Sequence, residues 1–368
     1  MLKNKKKTKL LVFYYGIPAG GIDTYLKSLI PGLLKNYEII LVSGSRNQIM
    51  DTYIKEEHLQ HHIIPLKKWY LFFGYFHLAR LIIKENIKIL LTQEIILSVL
   101  YRPLKVFLPK LQYFTVIHSD IRMFGHFSRR FVGAFLFLNR ATAFLNNKYF
   151  CVSEYLAYKY LVPEGVPASK IKVIHSGMVL PQNIETKKKN ASSNVWKVGF
   201  VGRLSCEKGF DQLLDIAKRI RLLDNKIQFH VAGEGTFLYN EAKQLEIESS
   251  GFFKLHGYLD NISRFYNQMD CIVVPSKSEG FCYILLEAFN YGVPVICSDS
   301  GSLPELVGSD KAAIICKTGD IDAFVSAIMV LKKDIKLKVD ITSTAKKRAN
   351  DFSLAKMHIN YLEALVKC

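Results

Sequence analysis

The 368-residue chain lacks the cysteine patterns that tie small secreted domains together. It has seven cysteines, an odd number, and no two of them form a CxxC pair. This pattern argues against a disulfide framework and against a structural zinc site, and it favours a reducing cytosol as the compartment.

Long apolar runs are also missing. No window reaches the roughly 18 uninterrupted apolar residues that a membrane-spanning helix needs. The basic start, Met1–Lys9, is followed only by the short apolar run Leu10–Tyr15, which predicts a first buried strand rather than a signal peptide. The dinucleotide fingerprint GxGxxG and internal repeats are absent as well.

What the chain does have is a globular composition with an uneven charge. Hydrophobic residues make up 49% and charged residues 22%, and the length predicts two domains. Residues 1–190 hold 28 Lys and Arg against 11 Asp and Glu, a net charge of +17, whereas residues 191–368 have a net charge of +1. The first half is therefore expected to meet an anion, namely nucleic acid, anionic lipid or a diphosphate, unless its basic surface is merely solvated. No DNA-binding motif accompanies the charge, so we predict no nucleic-acid partner.

Short apolar segments alternate with helical ones along the whole chain, which is typical of βα units and a parallel sheet. The predicted strands of the first half are residues 9–15, 38–43, 87–92, 111–117 and 148–152. Those of the second half are residues 195–201, 227–232, 253–256, 271–275, 295–298 and 313–316.

A polar stretch rich in Lys, Asn and Ser separates the two series and reads as a linker. The predicted boundaries are a first domain at 1–180, a linker at 181–194, a second domain at 195–350, and a final helical segment at 351–368 that packs back toward the first domain. Two doubly wound α/β domains of this kind would face each other across a central cleft, with ligands beyond the carboxyl ends of the strands.

Two cations stand at the start of the second domain. Arg203 and Lys208 follow a predicted strand and the flexible Gly202, and they precede a predicted helix. Fixed cations beside free helix N–H groups suit a diphosphate. The alternative is a tight turn with solvated charges.

Two carboxylates follow a later strand. Glu279 lies in a loop before Gly280, and Glu287 lies within the apolar helical run Ile284–Phe289. A carboxylate on an apolar helix needs a hydrogen-bonding partner, which a ribose diol could supply. The alternative is that Glu287 points outward into solvent.

These motifs resemble the Glu-x7-Glu pattern of retaining glycosyltransferases of the GT-B fold, particularly family four. The resemblance spans essentially the whole chain and is densest in the second half. Its further motifs, in order, are Gly20-Gly21, His118, Val152–Glu154, Ile174–Gly177, Gly199–Gly209, Ala232–Gly235, His256–Tyr258, Asp270–Pro275, Gly292–Val295 and Pro304–Gly308. The chain departs from the pattern at Cys282, where the family has glycine, and at Ser176, where it has asparagine.

The resemblance implies that the first domain, 1–180, binds the acceptor and that the second, 195–350, binds the nucleotide sugar. It also implies roles for individual residues. Glu279 and His118 would act at the transferred sugar, Arg203 and Lys208 would bind the donor diphosphate, and Glu287 would hold the ribose. The full set implied for donor binding is Gly20, Gly21, Arg203, Lys208, Gly280, Phe281, Cys282 and Glu287.

The resemblance further implies a retaining, metal-independent hexosyltransferase that uses a nucleotide sugar as substrate and needs no cofactor. A UDP-sugar is favoured over GDP-mannose, and the acceptor would be a glycan or lipid-diphosphate-linked sugar in capsule, O-antigen or exopolysaccharide assembly. Asp320 and Asp322 form a DxD string that we interpret as a helix cap, not as a metal site. A sugar-nucleotide epimerase and a non-catalytic sugar-nucleotide-binding partner of another transferase are the alternatives.

A basic and aromatic stretch predicts a membrane contact. Phe127, Phe131 and Phe135 would share one helical face, with Arg129 and Arg130 elsewhere on the same helix. We therefore expect a cytoplasmic protein held peripherally at the anionic inner face of the plasma membrane. The alternative is that these phenylalanines are core and the charges are solvated. The whole basic and aromatic set is Arg122, His126, Phe127, Arg129, Arg130, Phe131, Phe135, Phe137 and Arg140.

Overall fold

A computed structural model describes residues 7–16, 21–66, 70–123, 128–178, 195–249 and 251–366. The chain divides into two compact units. The first comprises Met1–Val179 together with Phe352–Cys368, and the second comprises Leu180–Asp351. The end of the chain thus belongs to the first unit, and the predicted linker lies outside the described residues.

The described part of the first unit contains a parallel sheet of seven strands in the order β3-β2-β1-β4-β5-β6-β7. The strands are β1 Thr8–Tyr14, β2 Tyr37–Ser43, β3 Gln60–Ile63, β4 Ile89–Gln93, β5 Gln112–Ile117, β6 Lys148–Cys151 and β7 Ile171–Val173. The helices between them are α1 Gly21–Leu34, α2 Gln48–Glu56, α3 Tyr70–Lys84, α4 Ile95–Tyr101, α5 Leu104–Phe107 and α6 Arg129–Thr142. A π-helical segment, Tyr155–Leu161, follows β6.

Sequence reasoning found the buried strands of this sheet and missed the two at its edges. The strands β3 and β7 are short and only partly buried, because an edge strand has a neighbour on one side alone. Neither edge strand therefore has the continuous apolar run by which the inner strands were recognised.

The described part of the second unit has a parallel sheet of six strands in the order β10-β9-β8-β11-β12-β13. The strands are β8 Trp196–Val201, β9 Ile227–Ala232, β10 Phe253–Leu255, β11 Cys271–Val274, β12 Val295–Ser298 and β13 Ile314–Cys316. The helices are α7 Phe210–Leu223, α8 Tyr239–Glu248, α9 Ser263–Gln268, α10 Tyr283–Asn290, α11 Leu303–Val307, α12 Ile321–Lys333 and α13 Ile335–Ala349.

Both sheets reverse their strand order at one place. In the first unit the reversal lies between β1 and β4, and in the second between β8 and β11. Helices cannot cover the crevice at such a point, so ligands of open α/β sheets bind there, beyond the carboxyl ends of the strands. The loops after these four strands are therefore the places to look for function.

The last helix, α14 (Leu354–Val366), packs against α1 within the first unit. Tyr361 is fully buried, shares a hydrogen bond with the hydroxyl of Tyr25, and packs its ring edge-on to Phe150. His358 Nε2 donates to the backbone carbonyl of Ser28 at 2.7 Å. This helix therefore completes the core of the unit that contains the start of the chain.

Two features of the composition have a structural counterpart. No helix in the described ranges combines the length and apolarity needed to cross a membrane. The six cysteines that fall within those ranges are all free thiols.

Replacing Tyr361 by Ala is expected to destabilise the first unit by about 3–5 kcal/mol, because it removes a fully buried aromatic ring. Ile359→Ala, on the 56% exposed side of the same helix, should stay within about 0.5 kcal/mol of wild type. Urea unfolding followed by circular dichroism measures both. Equal midpoints for the two variants would show that α14 is not part of the core.

Candidate functional site

An ion pair between a half-buried lysine and a buried carboxylate joins the two loops at the strand reversal of the second unit. Lys208, in the loop after β8, donates from Nζ to both carboxylate oxygens of Glu279 at 2.8 and 3.0 Å. Glu279 follows β11, is only 4% exposed, and also accepts a hydrogen bond from Ser276 at 2.8 Å. Burial opposes the charge of Lys208, but the Glu279 carboxylate more than offsets it, so the pKa of Lys208 lies above its usual value.

Two glycines make this close approach possible. Gly209 has a φ of 68°, and a Cβ there would lie 1.9 Å from the Pro275 carbonyl oxygen. Gly301 has a φ of 57°, and a Cβ there would lie 2.1 Å from the backbone oxygen of Glu279. No other residue fits either position, so the loops after β8, β11 and β12 are locked together around Glu279.

The same region presents uncapped helix N-termini. Gly209 precedes α7 and Cys282 precedes α10, and neither helix receives a side-chain cap. Arg203 is 67% exposed and lies 3.9 Å from Glu207. First-turn amides without a side-chain cap, a helix dipole and two nearby cations form a site with the chemistry of an anion receptor.

Glu287 has a protein partner that sequence reasoning missed. The hydroxyl of Tyr266 on α9 donates to Glu287 at 2.7 Å, and the Tyr266 ring stacks on Tyr291 at 5.1 Å. Burial raises the pKa of Glu287, and the Tyr266 hydrogen bond opposes this rise. The carboxylate is thus held in place on a partly buried helix face, which contradicts the outward-pointing alternative. Tyr266 is 21 residues away in sequence, and no local motif marks it.

The loop between β11 and α10 contains the remaining predicted residues of this unit. Gly280 and Phe281 lie in it, and the Phe281 ring contacts Tyr283 edge-on at 5.3 Å. Cys282 is buried, and burial together with the Glu279 charge raises the pKa of its thiol well above the usual value. Cys282 is therefore a small neutral side chain and not a nucleophile.

His118 lies at the corresponding edge of the first unit, directly after β5. Its Nε2 is 2.8 Å from Gln93 Oε1, and its ring contacts Tyr25 at 4.4 Å. Burial lowers the pKa of His118 to about 3, so the imidazole is neutral at physiological pH. Gly21 is the first residue of α1, the helix that follows β1. Gly20 lies outside the described residues.

The first aspartate of the DxD string forms the helix cap that the sequence predicted. Asp320 caps α12 by accepting a hydrogen bond from the amide of Ala323 at 2.9 Å. Asp322 is paired with Arg219 instead. Across the described ranges, no three or more His, Cys, Asp or Glu side chains are grouped so that they could hold a metal ion.

The expected lipid-facing stripe is partly wrong. Phe135 is only 6% exposed and stacks with Phe131, because this side of α6 faces the core. Arg122 forms ion pairs with Asp120 and Glu164 within the protein. Phe127 and His126 lie outside the described residues.

The solvent side of α6 is nevertheless apolar and basic. Phe131, Phe137 and Leu138 are 46%, 71% and 50% exposed, and Arg129 and Arg130 are exposed at the start of the helix. The exposed face is thus offset from the one that four-residue spacing predicted.

Comparison with known protein families identifies the class. Residues 19–180 match the family model described as Glycosyltransferase Family 4, and residues 182–348 match the model described as Glycosyl transferases group 1. The chain belongs to the GT-B-fold glycosyltransferases of the family 4 type, as the motifs predicted.

Curated relatives match over part of their length. A 41.2 kDa uncharacterized protein in the cps region of Klebsiella pneumoniae is 29% identical over 181 residues, which cover 47% of this chain and 49% of the relative. The capsular polysaccharide biosynthesis glycosyltransferase CapM of Staphylococcus aureus is 26% identical over 215 residues, 55% of this chain and 57% of CapM. The chain thus spans about half the length of the curated relatives it matches.

A solved structure matches over the whole length. Alr3699/HepE of Anabaena superposes with a TM-score of 0.81 at 17% identity, covering 98% of this chain and 100% of that one. It was crystallised with UDP and, in another structure, with UDP-glucose. This likeness shows the fold, an α/β GT-B architecture of two Rossmann-like domains.

Glu287→Gln is expected to stabilise the protein near neutral pH, because ionising a buried carboxylate with a raised pKa weakens the folded state. The wild type loses this stability as the pH rises from the ordinary glutamate pKa, about 4.3, through the raised value. The melting temperature of the variant should therefore exceed that of wild type at pH 7.5, and the difference should shrink toward pH 4. The exposed Glu241→Gln is the control. A difference that does not change with pH would contradict the burial of this carboxylate.

Proposed function

We propose that the chain is a retaining, metal-independent glycosyltransferase that moves a hexose-type sugar from a nucleotide diphosphate sugar to a glycan or lipid-linked acceptor. The observation that carries the proposal is the arrangement at the strand reversal of the second unit. There Lys208, Arg203 and two uncapped helix N-termini offer positive charge beside the carboxylates of Glu279 and Glu287. The cps-region relative and CapM support a place in the assembly of a bacterial surface polysaccharide.

The diphosphate, the ribose and the transferred sugar of a nucleotide sugar would each have a partner in this site. A diphosphate would bind Arg203, Lys208 and the first amides of α7, while the ribose hydroxyls would donate to Glu287, which Tyr266 holds in place. A diphosphate that shares Lys208 would weaken the ion pair with Glu279. The Glu279 carboxylate could then accept hydrogen bonds from hydroxyls of the transferred sugar. The UDP complexes of the Anabaena protein favour a UDP-sugar.

The chemistry follows from where charge develops. The bond between the anomeric carbon and the diphosphate oxygen breaks, which leaves positive charge on the sugar ring and negative charge on the diphosphate. Once they contact the diphosphate, Arg203 and Lys208 would stabilise that leaving group and supply charge that a metal ion could otherwise provide. The acceptor oxygen bonds to the anomeric carbon on the same face, and its proton passes to the departing phosphate oxygen, so configuration is retained. We retain for the neutral His118 the role at the transferred sugar that the family resemblance implies.

Two alternatives use the same donor site. A sugar-nucleotide epimerase would convert the donor without an acceptor, and a non-catalytic partner would bind it unchanged. The presence of Arg203, Lys208, Glu279 and Glu287 together argues against a decayed site. Product analysis with and without an acceptor distinguishes the three.

Arg203→Ala and Glu287→Gln are each expected to lower turnover by about 10²–10³, because each removes a charged contact to the donor. The matched controls Arg221→Ala and Glu241→Gln change the same residue types at exposed positions and should leave turnover unchanged. The assay is nucleoside diphosphate release across a panel of sugar nucleotides. Wild-type rates in both site variants would contradict the assignment of these residues to donor binding.

Wild-type activity should persist in excess EDTA, because Arg203 and Lys208 supply the charge that a metal ion could otherwise provide. Activity that is lost in EDTA and restored by Mg²⁺ or Mn²⁺ would contradict metal independence.

We also propose that the first unit docks on an anionic membrane surface, where a lipid-linked acceptor would be reached. The net charge of +17 in residues 1–190 and the exposed apolar side chains of α6 support this. Anionic headgroups attract each nearby Lys or Arg by about 1 kcal/mol, so a few exposed residues suffice for reversible binding. With the buried Phe135 left out, the residues proposed to contact the membrane are Arg129, Arg130, Phe131, Phe137 and Leu138.

Liposome sedimentation tests the membrane proposal. Binding should require anionic lipid, fall with salt, and weaken in Arg129→Glu/Arg130→Glu. The control Lys333→Glu/Lys336→Glu makes the same charge change on the nearly neutral second unit and should bind like wild type. Equal recovery in the supernatant with neutral and anionic liposomes at low salt would leave a transferase that works away from membranes.

A further inference from the structure

Glu94 has a backbone conformation that side chains rarely adopt. It directly follows β4 at the strand reversal of the first unit, with φ at 77° and ψ at 147°. This region of backbone space is populated almost only by glycine. The other non-glycine residues with positive φ in the described ranges have φ between 52° and 58°. Such a strained residue persists only when the surrounding structure over-determines it, and here the Glu94 amide donates to the Val116 carbonyl at 2.9 Å while the side chain has partners of its own.

The Glu94 carboxylate has hydrogen bonds but no counter-charge. Both oxygens accept from the Ser119 hydroxyl at 3.1 Å. Among the described residues no Lys, Arg or His lies within ion-pair distance of it. Burial raises the pKa of Glu94 to about 7, while Ser119 and the amide of Ile95 oppose the rise. A partly buried carboxylate without a cation is poised to bind a ligand.

The surroundings narrow the choice of ligand. Gln93, the neighbour of Glu94, contacts the neutral His118, and Ser119 follows His118 at the end of β5. The site therefore offers a carboxylate, an amide, a hydroxyl and a neutral imidazole, with no fixed cation among them. An anionic diphosphate would be repelled by this carboxylate, whereas the hydroxyls of a sugar would donate to it.

We propose that Glu94 is an acceptor-binding, specificity-determining residue whose carboxylate accepts a hydrogen bond from a hydroxyl of the acceptor sugar. This inference rests on the proposed function, since a transferase must bind a second, hydroxyl-bearing substrate. It assigns the neutral sugar end of the acceptor, not a diphosphate, to the strand reversal of the first unit. Ser119 orients the carboxylate from behind.

Steady-state kinetics with UDP-sugars and a panel of octyl hexopyranosides test the assignment. Glu94→Gln and Glu94→Ala should lower kcat/KM for the octyl glycoside by at least tenfold, mainly through KM. Hydrolysis of the UDP-sugar in the absence of acceptor should stay within twofold of wild type, which a misfolded variant would not show. Unchanged KM for the octyl glycoside in both variants would overturn the proposal.

Failure of the proposed function gives a different result. A wild-type protein that releases no nucleoside diphosphate from any sugar nucleotide would contradict the transferase itself. A wild type that hydrolyses a UDP-sugar but is neither stimulated nor inhibited by any octyl glycoside would contradict the acceptor site alone.

Backbone strain supplies a second, independent measurement. Glu94→Gly should raise the melting temperature, because glycine adopts this conformation freely, yet it should abolish stimulation by octyl glycosides. The control His58→Gly also replaces a residue with positive φ, at an exposed position, and should leave the acceptor kinetics unchanged. A Glu94→Gly variant that is less stable than wild type, or that keeps full acceptor stimulation, would show that this residue serves the fold and not the substrate.

Discussion

The ion pair of Lys208 and the buried Glu279 is the interaction on which the proposed donor site depends. Breaking a buried ion pair by removing one partner costs about 3–5 kcal/mol, because the remaining charge is left without compensation. The pair therefore fixes the loops after β8 and β11, and at positions 209 and 301 the close approach of neighbouring backbone leaves room only for glycine. The same pair would also respond to donor binding. A diphosphate that competes for Lys208 would change the environment of Glu279, so donor binding and recognition of the transferred sugar would be linked.

The two units use one topology with different charges at the strand reversal. Each sheet reverses its strand order once, and each reversal carries charged or strained residues. In the second unit the reversal has the cations Arg203 and Lys208 and uncapped helix amides, beside the carboxylates of Glu279 and Glu287. In the first it has the carboxylate of Glu94 and a neutral His118. This difference in charge suits an anionic donor at the second unit and a hydroxyl-bearing acceptor at the first.

The sequence predicted local features well and long-range ones poorly. Strands β9 and β12 were found with their observed bounds, since their apolar runs end at clear turns. The edge strands were missed for want of such runs. The cations and carboxylates of the second unit were recognised as motifs, yet the ion pair between Lys208 and Glu279 joins residues 71 apart and follows only from the fold. Tyr266 and the strain at Glu94 likewise depend on tertiary packing, which no single-sequence pattern encodes.

The most direct test of the account is a crystal structure of the protein with UDP bound. The account predicts that the diphosphate contacts Arg203, Lys208 and the first turn of α7, and that the ribose hydroxyls lie within hydrogen-bond distance of Glu287. It further predicts that Lys208 Nζ moves from Glu279 toward the phosphate oxygens. A nucleotide bound elsewhere, with the pair of Lys208 and Glu279 unchanged at 2.8 Å, would contradict the central claim.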